Sequence, residues 1–161
     1  MAQHPPPPPS GNAYFFKFSG LRGGLGTHEM QLAEIKLYGV GGAEISVLEI
    51  SNPGGIPGNS WETAASAVDG NLATKWLDLN ITKPNGQQQA FLLLLLAAAQ
   101  PVASYDLFTA NQHPNRDPTD WSFGVYRQWT PTEEGEAQTE SLETLHQVAG
   151  HHPHRPLRIG C

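Results

Sequence analysis

Glycine and proline interrupt this chain so often that no long helix has room to form between them. There are 17 glycines and 14 prolines among 161 residues. Proline removes a backbone donor and glycine opens turns, so such punctuation divides a chain into short extended segments joined by loops. Hydrophobic residues still make up 39% of the sequence, with four Trp, four Tyr and six Phe. That is enough to fill a core, which a disordered composition cannot do. The length suits a single domain with terminal extensions.

The segments between the breaks read as strands. Tyr14–Phe18 is aromatic and ends at Ser19-Gly20, and Gly23, Gly24 and Gly26 then make a loop. Met30–Tyr38 alternates apolar and polar residues with a slip of one at Ala33-Glu34, the sign of a β-bulge that re-aims Glu34. Val40–Ile50 reads as a further strand or hairpin. Ser51–Asn59 is too rich in Pro and Gly for any regular element and forms a loop leading to Trp61. Glu62–Val68 suits one short helical turn, and Lys75–Asn80 a strand carrying Trp76. Phe91–Ala99, with five leucines and three alanines, has helical propensity but the length and flanks of a buried strand. The strand is the preferred reading. Val102–Thr109 follows as a strand, Ala110–Asp120 as a loop, Trp121–Trp129 as a strand with a turn near Gly124, and His146–Gly150 as a last short strand. About eight short strands predict an all-β chain, a β-sandwich or jelly roll.

The ends are expected to lie outside that body. Residues 1–13, with the run Pro5–Pro9, form a stiff proline-rich leader, a linker that is also able to contact a partner as polyproline II. Residues 14–150 make the sandwich and 151–161 a flexible tail. The net charge of −6 is concentrated in Glu133, Glu134, Glu136, Glu140 and Glu143, so the rest is nearly neutral. With no basic patch, nucleic-acid binding is excluded as an expectation. The apolar run of nine residues is far short of the roughly 20 that cross a bilayer as a helix. No secretory h-region is seen, so a soluble chain is expected, its compartment left unknown. The single cysteine, Cys161, forms no internal disulfide. It fits a reducing compartment, and a secreted domain built without disulfides carries the same signature.

Three motifs carry a family resemblance. Ala67-Val68-Asp69-Gly70-Asn71-Leu72-Ala73-Thr74-Lys75-Trp76 is similar to the A-x-D-G-(N/D)-x-x-T-x-W signature of discoidin domains, the coagulation factor 5/8 type C modules. Ala110-Asn111 with Arg116-Asp117-Pro118-Thr119-Asp120-Trp121 resembles their T-A-N … R-D-P-x-x-W segment, and Met30–Gly39 their Q-x-x-E strand. The resemblance implies a galactose-binding-like jelly roll. In that family the Q-x-x-E strand closes the domain, whereas here it precedes the D-G-N motif, so a permuted strand order is expected. The loop after Trp121 also departs from the family pattern.

The resemblance implies two sites. Asp69, Asn71 and Thr74 offer hard oxygens within six residues, as calcium requires. The family's strand Glu, here Glu34, stands as a more distant ligand of a structural Ca²⁺. A plain Asx turn explains the same residues. The second site is a glycan surface on the rim loops, with Trp61, Asn111, His113 and Arg116 as contacts of a galactose-type sugar. Trp61 is expected to anchor its loop in the core; facing solvent, it becomes a stacking platform instead. Arg116 reads first as a loop ion pair and second as a sugar contact. The histidines His146, His151, His152 and His154 read as adventitious metal binders. No nucleophile elbow, zinc-protease helix or P-loop occurs, so an enzyme is not expected. Two functions follow: a non-catalytic carbohydrate-binding module, or a structural adaptor that docks onto other proteins.

Overall fold

The computed structural model describes residues 11–82, 86–127, 141–151 and 157–160. Its strands are β1 (Gly11–Leu21), β2 (Met30–Leu32), β3 (Glu34–Tyr38), β4 (Glu44–Ile45), β5 (Val47–Ser51), β6 (Trp76–Asp78), β7 (Ala90–Gln100), β8 (Ser104–Phe108), β9 (Pro118–Arg127), β10 (Ser141–Val148) and β11 (Leu157–Gly160). Two 3-10 turns, Ala64–Ala67 and Pro114–Arg116, are the helical elements among the described residues. None is long and apolar enough to cross a membrane. One sheet runs β10-β9-β1-β7-β5, a second β11-β8-β3-β4, and β2 pairs with β6. Every pairing is antiparallel. The chain is all-β.

Alternation builds the core between the sheets. In β1, Tyr14, Phe16 and Phe18 point inward and are at most 1% exposed. Leu92, Leu94 and Leu96 of β7 do the same beside them, and Trp121, Phe123 and Val125 of β9 complete that face. The second sheet contributes Ile35, Leu37, Tyr105 and Leu107. The Tyr105 ring meets Phe16 edge-on at 5.0 Å and Phe123 at 4.8 Å, which ties the sheets together. The apolar run at 91–99 is thus a strand, and its outer residues Phe91, Leu93 and Leu95 are half-buried. Phe15 lies on that outer face, stacked on Phe91 at 5.8 Å.

Several expectations change. The slip at Ala33 is more than a bulge: β2 and β3 belong to different sheets. Both Ala33, through its N–H, and Glu34, by register, oppose Phe108. Val40–Ile50 does not form a hairpin, because β4 and β5 also sit in different sheets. Gly124 makes no turn, and β9 runs straight through it. A Cβ there would strike the Glu143 carbonyl oxygen on β10 and the Phe15 ring, so the glycine serves close strand approach. The last strand starts earlier than read, at Ser141. The segment read as tail contains β11, paired with β8. Gly11–Ala13, read as leader, belong to β1. The proline run, Glu133, Glu134, Glu136 and Glu140, His152 and His154 lie outside the described residues.

Candidate functional site

The β2–β3 break aims two polar side chains at loops. Glu34, at the start of β3, is 3% exposed, and both of its carboxylate oxygens accept the Gly70 N–H at 3.2 Å. Gly70 takes φ 75°, a left-handed turn that glycine allows without strain. Asp69 lies beside Glu34. Burial pushes the Glu34 carboxyl up to about 7, helped by the Asp69 charge and opposed by the Gly70 bond and the Lys36 charge. Two carboxylates therefore meet where one is sealed from water.

The rest of that loop bonds within itself. The Asp69 carboxylate accepts the Asn71 N–H at 2.9 Å and the Thr74 hydroxyl at 2.6 Å, while Asn71 Oδ1 accepts the Ala73 N–H at 3.0 Å. This is an Asx-type turn. Glu34 and Asp69 set two carboxyls side by side, and the oxygens of both accept hydrogen bonds from the 69–74 loop, which the Asn71 and Thr74 side chains also hold. Among the described residues no group of three or more His, Cys, Asp or Glu converges. A calcium ion here would complete its oxygen shell from backbone carbonyls and water.

Gln31, on β2 and fully buried, organises the neighbouring loop. Its amide nitrogen donates to the carbonyls of Gln112 and, at 3.1 Å, His113, and its oxygen accepts Lys75 Nζ at 3.1 Å. His113 has φ 55°, the one non-glycine left-handed residue among those described. Asp117 closes the loop, 3% exposed and lifted to about 6 by burial, against a Gln31 hydrogen bond and the Arg22 charge. Sequence reading missed this network. The signal was Gln31 itself, a polar residue three before Glu34 on a strand whose break turns both inward.

The expected glycan contacts separate into two places. Asn111 and His113 are exposed on the 109–117 loop, while Arg116 is half-buried and paired with Glu29. Trp61 is not a core anchor: it is 73% exposed. Its loop is nonetheless fixed, since Asn59 Oδ1 accepts the N–H groups of Trp61 and Glu62, each at 3.0 Å. The Ser66 hydroxyl also donates to the Trp61 carbonyl. Among the described residues no hydrogen bond joins Trp61 to Asn111, His113 or Arg116. His146 packs against the core through Tyr105. Tyr105 OH lies 2.7 Å from its Nδ1 and receives the Trp121 indole N–H at 2.9 Å. Burial lowers the His146 pKa, since it disfavours the charged ring.

Two shallow clefts flank Asn52. One, of about 210 Å³, is lined by Lys17, Phe91 and Leu142 among others. The other, of about 260 Å³, lies between β5 and the turn that follows Trp61. No family model, curated protein or solved structure matches the chain.

Proposed function

We propose that the chain is a non-catalytic carbohydrate-binding module of discoidin type, a galactose-binding-like jelly roll with permuted strand order, taking neutral, galactose-type glycans at its rim loops. The observation that carries this reading is Trp61. An indole 73% exposed on a loop held by three hydrogen bonds gains little for folding. It offers instead a flat apolar face for the C–H surface of a pyranose. Asn111 and His113 supply exposed donors and acceptors on a second loop.

A structural calcium at Glu34 and Asp69 belongs to the same proposal. When bound it would neutralise two facing carboxylates and brace the 69–74 loop. Glu34 and Asp69 would hold it, with Thr74 keeping Asp69 oriented through its hydroxyl. Isothermal titration with galactose and galactose-terminated oligosaccharides tests the glycan reading. Binding by the wild-type chain, lost by at least tenfold in Trp61→Ala with an unchanged melting temperature, is the expected result. Equal affinity in Trp61→Ala would sink it.

A second reading, the adaptor that docks onto protein, draws on Leu25 (72% exposed) and Leu72 (56%), which add apolar surface on two further loops. It predicts capture of a protein partner by the wild-type chain and loss in Leu25→Ser, with no response to sugar.

A further inference from the structure

Two residues that line the cleft beside β5 carry a buried donor and a buried acceptor with no hydrogen-bond partner among the described residues. Trp76 is fully buried on β6, and its indole Nε1 has no hydrogen-bond partner among the described residues. Asn52, just after β5, also has its Oδ1 buried without a partner. The orientation of that amide is fixed, because its Nδ2 must face the Asp78 carboxylate, to which it donates at 3.1 Å. Asp78 is itself held by the Ile56 and Asn80 N–H groups, each at 3.1 Å. Oδ1 is therefore an acceptor. Both residues line the same cleft of about 260 Å³.

Buried polar groups are paired in the great majority of cases, and two orphans in one wall call for a ligand. The lining defines its chemistry. Ile50, Pro57, Ala64 and Ala65 give an apolar wall, and none of the lining side chains carries a charge. Hydroxyl groups suit both orphans, since an O–H oxygen accepts an indole N–H and its proton donates to an amide carbonyl. The volume is just under the roughly 300–1,000 Å³ of drug-sized sites, the scale of one sugar ring and not of a chain. Thr63, two residues after Trp61 in the chain, lines the cleft.

We infer that this cleft is a subsite for one neutral pyranose unit, with Trp76 Nε1 as donor and Asn52 Oδ1 as acceptor. The inference rests on the glycan-binding reading and adds where the terminal sugar sits. The test is a titration of the ¹⁵N-labelled full chain with galactose, glucose and glucuronate, following the indole N–H signals. The Trp76 signal is expected to move saturably with a neutral sugar and not with glucuronate, and Asn52→Ala to weaken that response at least tenfold. The wild-type spectrum decides the matter even where Asn52→Ala fails to fold. A Trp61 signal that moves while Trp76 stays fixed overturns the subsite and leaves the glycan reading standing. Neither signal moving overturns both. An equal response to glucuronate overturns the neutral-ligand assignment.

Discussion

Glu34 and Asp117 are two buried carboxyls at one end of the sandwich, both lifted above their ordinary range. The folded chain therefore holds their protons more tightly than the unfolded chain does. Where the folded state binds more protons, stability falls as pH rises. For Glu34 that window runs from 4.5 to about 7, and for Asp117 from 3.8 to about 6. Without divalent cations the chain is expected to melt higher at pH 5 than at pH 8, opposite to proteins stabilised by paired carboxylates. Glu34 contributes on the order of 3 kcal/mol at most, at about 1.36 kcal/mol per pKa unit. Glu34→Gln keeps an acceptor for the Gly70 N–H and removes the charge. It should raise the melting temperature at pH 8 in EDTA and flatten the pH dependence, which thermal scans across pH 5–8 will check. A variant that melts lower than the wild type at pH 8 in EDTA would contradict the carboxylate pair.

At the scale of elements, two contacts add to the β9 ladder that holds β10 to the sandwich. Gly124 lets β9 approach the Glu143 carbonyl and the Phe15 ring with no Cβ between. Gly124→Ala should cost about 1–3 kcal/mol by overpacking and speed amide exchange along β10 more than along β7. Tyr105 receives the Trp121 indole N–H and meets His146. Tyr105→Phe leaves both groups without that oxygen, and a loss of about 1–3 kcal/mol in denaturant melts is expected. The same elements show what was legible in sequence. The run at 91–99 could be read as a strand because five leucines between loops leave little else to build, and the alternation after Met30 carried β2 and β3. Gly124 misled, because glycine marks turns and tight strand approaches alike. Trp61 misled too: nothing in its own sequence separates an anchoring indole from an exposed one. The Gln31 network and the Asn52–Trp76 cleft arise from partners 22 to 82 residues apart, which no local pattern encodes.

For the whole molecule, the two antiparallel sheets act as a rigid frame whose loops carry the chemistry. Gln31 ties the 109–117 loop to Lys75, Glu34 ties the 69–74 loop to β3, and Gly23 donates to the Asn115 carbonyl from the 22–29 loop. A cation at Glu34 and Asp69 would stiffen a set of loops already joined, so calcium and glycan binding should reinforce each other. Thermal unfolding of the full chain in EDTA, then in millimolar calcium, then with galactose added, tests this most directly. A ligand that binds only the folded state raises stability by about 2.7 kcal/mol at a hundredfold excess over its Kd. The expected result is a stepwise rise in melting temperature, first with calcium and again with galactose, the second step lost in Trp61→Ala. A melting temperature unmoved by galactose at every calcium concentration would contradict carbohydrate binding.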